Sequence, residues 1–246
     1  MAKPVDIAWL LGITIDPESE DLVLVMEHEE SDLWTVCLER ELTWRQVYNL
    51  LIYISSTLAS LHKEGITHQD LHPGNILQSS DLYRLSDFGL SGLADMPRSR
   101  IYGVLPYIAP EVLRGEPYTA AADVYSFGMV MWTLLSSTPP FHEQKWDAGL
   151  LLSIINGERP SCTTPGVPEK YIEIMKRCWD ADPSQRPTAY VLDGYFRTTL
   201  REEIKTPSFI NKIVERNVSG NATHVTKSEI YSVCIQGLLD EILVTA

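Results

Sequence analysis

The segment Asp123 to Leu135 is apolar on nearly every side of a helix, and no other feature limits the fold of this chain as strongly. A surface helix normally buries only one apolar stripe, so a helix that is apolar all round has to lie inside the protein. The segment is too short to cross a bilayer, which takes roughly 20 apolar residues. The sequence therefore predicts a central helix that other elements surround.

The elements predicted around this helix are strands first and helices afterwards. Two β-rich runs, 8–15 and 22–26, flank a turn-like segment and predict a hairpin. Thr43 and Gln46 match a capping box at the start of a long amphipathic helix. Apolar spacing predicts four further helices, at about 147–156, 169–179, 188–201 and 230–242. This order is typical of an α+β fold rather than of alternating βαβ units.

Composition narrows the class of function. The chain has 246 residues and a net charge of −13, and residues 1–41 are strongly acidic, with only Lys3 and Arg40 as basic residues. Such a surface repels phosphate backbones and anionic lipids, so we expect no binding to nucleic acid or to a membrane. The four cysteines are scattered without a metal-binding or disulfide spacing, which favours a reducing, cytoplasmic location.

Residues 66–118 are irregular and carry three short polar motifs. His68 to Asn75 is followed by Asp87-Phe88-Gly89 and then by Ala109-Pro110-Glu111. Phosphoryl transfer needs metal ions on the phosphates and one group that orients the attacking hydroxyl. Asn75 and Asp87 offer the hard oxygen ligands that Mg²⁺ prefers, and Asp70 can accept the hydrogen bond of the hydroxyl.

These motifs resemble the H-R-D, D-F-G and A-P-E motifs of protein kinases, in the same order. The resemblance covers about residues 8–200. Asp123 to Gly128 is similar to the D-x-W-S-x-G helix of the family, and Cys178-Trp179 through Arg186-Pro187 is similar to the ending found in tyrosine-kinase-like serine/threonine kinases. The resemblance implies a protein-kinase fold, ATP and Mg²⁺ as cofactors, and phosphoryl transfer to protein serine or threonine in signalling.

The resemblance also implies roles for individual residues. His68 would pack beneath the loop of Asp87, Phe88 and Gly89, and Asp123 would bond the backbone of the catalytic loop. Glu111 would form a buried ion pair with Arg186. In the hinge, Met26 would be the gatekeeper, the backbone of Glu27, His28 and Glu29 would meet the adenine edge, and Leu77 would lie beneath the base. From the residues alone, Met26 is better explained as an apolar core residue, and the hinge acids as solvated charges.

The family pattern divides the chain into residual small-lobe strands (1–27), a large lobe (28–201) and a tail (202–246). Three positions depart from it: Gln69 and His72 replace the usual arginine and lysine, and Val104 replaces a threonine. Within the 246 residues we find neither the glycine-rich phosphate loop nor the lysine of the V-A-I-K motif. The sequence either begins partway through such a domain or belongs to a degenerate relative.

Three alternatives to a serine/threonine kinase stay open at this point. The first is a catalytically impaired large lobe that acts as a scaffold and binds other signalling proteins. The second is a small-molecule phosphotransferase, against which the Ala109-Pro110-Glu111 motif and the Cys178-Trp179 to Arg186-Pro187 ending argue. The third is tyrosine specificity. The sequence does not identify a protein substrate.

Overall fold

A computed structural model of the chain describes residue 8, residues 10–80, 82–96, 100–162 and 166–206, and the isolated positions 214 and 233–234. The chain opens with an antiparallel hairpin of β1 (Leu10–Ile15) and β2 (Leu22–Met26). The predicted hairpin is thus confirmed, although its first strand begins at Leu10 rather than at residue 8. The backbone N–H of Ala8 instead donates to the carbonyl of Leu85, 2.9 Å away.

Helices dominate the rest of the described chain. The two that the sequence did not predict are short: α1 (Leu33–Glu39) starts at an Asp32 cap, and α3 (Pro110–Leu113) has proline at its first position. The predicted helices are present with small shifts at their ends, and they are α2 (Trp44–Lys63), α4 (Ala120–Ser136), α5 (Ala148–Ile155), α6 (Glu169–Cys178) and α7 (Ala189–Glu203). The capping box of Thr43 and Gln46 is formed.

Helix α4 is the centre of the core, as its composition predicted. Every residue from Ala122 to Ser136 is buried. Gly128 lets α6 approach closely, because a Cβ atom at this position would lie 2.8 Å from Cβ of Cys178. Around α4, the rings of Tyr48 on α2 and Phe196 on α7 pack with centroids 6.4 Å apart. The helices therefore form one continuous apolar core that holds the loops above them.

Short strands bring two of these loops together. Strands β3 (Ser31–Asp32), β5 (Ile76–Ser79) and β6 (Leu82–Leu85) form one sheet, with β5 in the middle. Strand β4 (Ile66–Thr67) pairs with β7 (Gly92–Leu93). Since β4 pairs with β7 and β5 with β6, the loop from β4 to β5 runs beside the loop from β6 to β7. These two loops carry the first two polar motifs.

The tail is described at three positions. The backbone N–H of Val214 donates to the carbonyl of Leu42, 2.9 Å away. Residues Val233–Cys234 form β9, which pairs with β8 (Tyr102–Gly103). The helix predicted at 230–242 is wrong at these two residues, because the open backbone of Tyr102–Gly103 offers hydrogen bonds to a strand; the rest of that segment lies outside the described residues. No described helix is both long and apolar enough to span a membrane.

Candidate active site

The loop from β4 to β5 is anchored from below by Asp123. This aspartate lies in the first turn of α4, where the helix dipole favours a negative charge, and is completely buried. Its Oδ2 accepts the backbone N–H of His68 at 2.8 Å, and its Oδ1 accepts that of Gln69 at 2.9 Å. The predicted contact between Asp123 and the loop backbone is therefore present.

His62 is a third partner of Asp123, and sequence reasoning missed it. Its Nε2 lies 2.8 Å from Oδ2 of Asp123. The spacing along the helix could have indicated this contact. His62 follows Ile54 and Leu58 at intervals of four, so it lies on the buried face of α2. The interaction ties the end of α2 to the base of the same loop.

His68 connects the two loops. Its Nε2 lies 3.1 Å from the carbonyl oxygen of Ser86, its Nδ1 accepts the N–H of Asp70 at 3.3 Å, and its ring packs 5.0 Å from that of Phe88. Burial lowers the pKa of the imidazole, so the neutral form donates from Nε2 and accepts at Nδ1. The position beneath the Asp87 loop agrees with the prediction.

Asn75 joins the two polar motifs. Its Nδ2 donates to the carbonyl of Asp70 at 2.9 Å and lies 3.2 Å from Oδ2 of the same residue. Its own carbonyl accepts the N–H of Ser86 at 2.9 Å. Asp70 and Asn75 are both buried. Since Asp87 follows Ser86 directly, all three candidate reactive side chains lie at one end of the β5–β6 pair.

Asp87 differs from the other two because it is exposed. Its backbone is left-handed, with φ of 55°, a conformation that aspartate tolerates better than most residues. Its Oδ1 accepts the N–H of Gly89 at 3.2 Å. The carboxylate is therefore exposed, one residue after Ser86, whose N–H bonds the carbonyl of Asn75.

The donor set fits a magnesium ion that a nucleotide helps to bind. Because Nδ2 of Asn75 is turned toward Asp70, its Oδ1 faces away and is the atom that can bind a cation. Asp87 adds an exposed carboxylate. Among the described residues no group of three or more His, Cys, Asp or Glu could hold a metal by itself. A pair of hard oxygens suits Mg²⁺, which keeps several water and phosphate ligands.

The hinge corrects two expectations that the residues alone favoured. Glu29 is not a solvated charge: its side chain is 3% exposed and forms an ion pair with Arg84 of β6. Glu27, 48% exposed, lies 3.8 Å from the same guanidinium. Met26 is 42% exposed at the end of β2, so it is not a core residue here. Leu77 stands opposite Arg84 in the β5–β6 pair, and the adenine contacts of the hinge and of Leu77 stay predictions.

The predicted pair of Glu111 and Arg186 is present. Nη1 of Arg186 lies 2.6 Å from Oε1 of Glu111, and Nη2 lies 2.8 Å from Oε2. Both side chains are almost fully buried. The pair ties α3, which follows the loop carrying Gly103, to the segment before α7.

The three departures from the kinase pattern are all buried. Gln69 donates from Nε2 to Oγ1 of Thr67 at 2.8 Å, so its amide is turned into the loop. Val104 packs in the apolar core. His72, for which the sequence gave no partner, lies with Nε2 3.8 Å from Oδ2 of Asp70. His142, equally unassigned, lies 3.9 Å from the exposed carboxylate of Glu143.

Comparison with known proteins finds related sequences over most of the chain. The family model described as "Protein kinase domain" matches residues 7–194. The chain is 38% identical over 149 residues to the proto-oncogene serine/threonine-protein kinase mos of Sus scrofa, covering 56% of this chain and 43% of that protein. It is 30% identical over 212 residues to human receptor-interacting serine/threonine-protein kinase 1, covering 76% and 31%.

A third relative covers most of the chain. The human ankyrin repeat and protein kinase domain-containing protein 1 is 33% identical over 248 aligned residues, which cover 90% of this chain and 31% of that protein. The chain spans less than half the length of each of these three relatives. Because the family model covers most of the chain and all three polar motifs, this chain belongs to the protein kinase family.

Proposed function

We propose that this chain carries the phosphoryl-transfer site of a serine/threonine protein kinase, which moves the γ-phosphoryl group of Mg²⁺-ATP to a hydroxyl of a protein substrate. The observation that carries the proposal is the position of Asn75. Its side chain bonds Asp70, and its carbonyl bonds Ser86, the residue before Asp87. One residue thus fixes the position of the catalytic aspartate, Asp70, relative to the metal-binding aspartate, Asp87.

Each of the three side chains has a distinct task in this chemistry. Asp70 accepts the hydrogen bond of the substrate hydroxyl and aims its oxygen at the phosphorus. Asn75 and Asp87 would hold Mg²⁺, which would neutralise charge on the phosphates. Little covalent chemistry is asked of the protein, so the rigidity of the loop matters most. Asp123 supplies that rigidity by accepting two backbone N–H groups.

The nucleotide base would lie at the hinge. The backbone of Glu27 to Glu29 would face the adenine edge, and Leu77 would lie beneath the base. The ion pair of Glu29 and Arg84 supports this arrangement, because Arg84 belongs to β6, which leads to Asp87. The pair links the base-binding hinge to the strand that carries a metal ligand.

Gln69 bears on how such an enzyme would be controlled. An arginine at this position could receive a phosphate on the loop before α3, whereas the neutral amide of Gln69 is turned toward Thr67. We therefore propose that activity does not depend on phosphorylation of that loop. A cytoplasmic role in signalling is supported by the reduced thiols of Cys37, Cys162 and Cys178, and by the name of the human receptor-interacting relative.

Transfer of labelled phosphate tests the proposed function. The chain, in excess over labelled ATP, is incubated with Mg²⁺ and dephosphorylated casein, and the product is analysed for phosphoamino acids. We expect slow formation of phosphoserine and phosphothreonine, lost in Asp70→Asn and kept in Asp21→Asn, an exposed aspartate of the hairpin turn. Phosphotyrosine would show the tyrosine alternative. Equal labelling by the chain and by Asp70→Asn would favour the scaffold.

A further inference from the structure

His72 is a buried polar ring beside the proposed catalytic carboxylate. His72 and Asp70 are each 5% exposed, and Nε2 of His72 lies 3.8 Å from Oδ2 of Asp70. The ring of Tyr107 packs near the imidazole, with centroids 6.2 Å apart.

The backbone fixes which nitrogen of His72 carries the proton. Nδ1 accepts the N–H of Gly74 at 3.1 Å. A ring nitrogen that accepts a hydrogen bond cannot carry a proton, so the neutral imidazole is protonated at Nε2. The nitrogen that faces Asp70 is therefore an N–H donor.

Gly74 leaves space for this ring because it has no side chain. A Cβ atom at position 74 would lie 2.8 Å from Cε1 of His72 and 3.0 Å from its Nδ1. Any side chain there would displace the imidazole. The residue at position 74 thus supplies both the hydrogen bond and the space that the orientation of His72 requires.

Two donors converge on one oxygen of Asp70. Oδ2 lies 3.2 Å from Nδ2 of Asn75 and 3.8 Å from Nε2 of His72. The second distance is longer than a hydrogen bond, but catalytic hydrogen bonds are often long before the substrate binds. The other oxygen, Oδ1, is on the side of Gly103, where a Cβ atom would lie 3.4 Å from it.

We propose that His72 is a positioning residue: its Nε2–H and the amide of Asn75 hold Oδ2 of Asp70, so that Oδ1 meets the substrate hydroxyl on the side of Gly103. The inference rests on the proposed kinase function. In the step it serves, the hydroxyl oxygen bonds to the γ-phosphorus as the bond from phosphorus to the β–γ bridging oxygen breaks. The hydroxyl proton passes to Oδ1, and ADP leaves.

Two substitutions separate this role from simple capping of the loop. In His72→Asn, the side-chain oxygen can still accept the N–H of Gly74, but the donor toward Asp70 is lost. In His72→Gln, an amide N–H can reach the place of Nε2, while the N–H of Gly74 loses its acceptor. A capping role predicts the greater loss for glutamine, and a positioning role predicts it for asparagine. Gly74→Ala, which displaces the ring, should resemble His72→Asn.

Spectroscopy on the full chain comes first. We expect the imidazole ¹⁵N shifts of His72 to show the Nε2–H tautomer. We expect the carboxyl ¹³C resonance of Asp70 to move in His72→Asn and to move less in His72→Gln. An Nδ1–H tautomer, or an Asp70 resonance that is the same in the chain and in His72→Asn, would overturn the proposal whether or not the chain transfers phosphate.

Kinetics come second, in the casein assay described above. We expect the single-turnover rate to fall at least about tenfold in His72→Asn, with the Kd for Mg²⁺-ATP unchanged, and to fall less in His72→Gln. His142→Asn is the matched control and should keep the rate. A normal rate in His72→Asn would overturn the proposal. Equal labelling by the chain and by Asp70→Asn would instead contradict the proposed function, and the carboxyl resonance of Asp70 would then decide on His72 alone.

Discussion

Arg186 and Glu111 meet through two parallel hydrogen bonds, 2.6 Å and 2.8 Å long, in the interior of the protein. Two further donors of Arg186 are also used: Nε donates to the carbonyl of Asp180, and Nη1 to that of Ala121. The guanidinium lies 5.3 Å from the ring centroid of Tyr125. One side chain thus holds together α3, the start of α4 and the segment before α7.

We expect Arg186→Ala to lower the free energy of unfolding by roughly 3–5 kcal/mol, because it leaves the carboxylate of Glu111 buried without its partner. Arg201→Ala is the control: Arg201 is exposed near the end of α7, and its loss should cost at most about 0.5 kcal/mol. Denaturant unfolding measures both. Equal losses would show that the buried pair does not stabilise the fold.

Asp123→Asn should also destabilise the protein, by at least about 2 kcal/mol, since hydrogen bonds to a charged acceptor are stronger than neutral ones. The new amide would direct two of its own N–H groups at a site that receives donors from His62, His68 and Gln69. Asp193→Asn, in an exposed pair with Arg197, should cost about 0.3–0.5 kcal/mol. Thermal unfolding of the two variants provides the comparison, and a stable Asp123→Asn would refute the anchoring role.

Stability should fall as the pH drops below about 6.5, the ordinary pKa of histidine. Burial lowers the pKa of His68 in the folded chain, so the unfolded chain takes up the proton first. The stabilisation is therefore complete above pH 6.5 and is lost on acidification, at up to about 1.4 kcal/mol per pH unit. The slope should be shallower in His68→Gln and unchanged in the exposed control His28→Gln. Identical slopes in all three proteins would contradict this.

The β1–β2 hairpin should make the isolated chain associate. Its aliphatic side chains are exposed on both faces: neighbouring residues of a strand point to opposite faces, and in β2 Leu24 is 60% and Val25 41% exposed. Apolar patches of this kind bind other surfaces, and open strand edges pair with other strands. We expect light scattering to show oligomers and an apolar dye to bind.

The cross-strand pair of Ile13 and Leu24 allows a direct check of this association. Changing both residues to threonine should reduce dye binding and oligomer size, because threonine keeps β-propensity and removes apolar surface. Val191→Thr, a single exposed position on α7, should change neither. A monodisperse monomer without dye binding in the unaltered chain would disprove the idea.

The sequence predicted those helices and strands that a single strong feature, such as burial or capping, marks in the residue pattern. The all-round apolar α4 and the capped α2 were identified because burial and capping leave regular spacing. Helix α1 was missed because it is short and contains Trp34, Thr35 and Val36, residues that favour strands. The strand at Val233–Cys234 was missed because its partner, Tyr102–Gly103, is distant in sequence.

The site residues divide in the same way: motifs identified some of them, and contacts between distant parts of the chain determine the rest. Asp70, Asn75 and Asp87 were found from motif order, and their connection through Asn75 became visible only in the structure. The burial of Glu29 depends on Arg84, which sequence spacing does not bring to the hinge. The orientation of His72 depends on the absence of a Cβ atom at Gly74. A sequence pattern does not show that the two residues are this close.

We infer that Asp70, Asn75 and Asp87 form a phosphoryl-transfer site whose rate depends on how the nucleotide is held. Electrostatic positioning supplies most of the rate in this chemistry, and the 246 residues contain no glycine-rich loop or V-A-I-K lysine. The most direct test joins a complete small lobe of a related kinase to the chain and measures turnover with and without it. We predict a large increase in turnover on joining, abolished by Asp70→Asn while Mg²⁺-ATP binding persists. A joined protein that binds Mg²⁺-ATP and transfers no phosphate, or one that transfers it equally well as Asp70→Asn, would contradict the account.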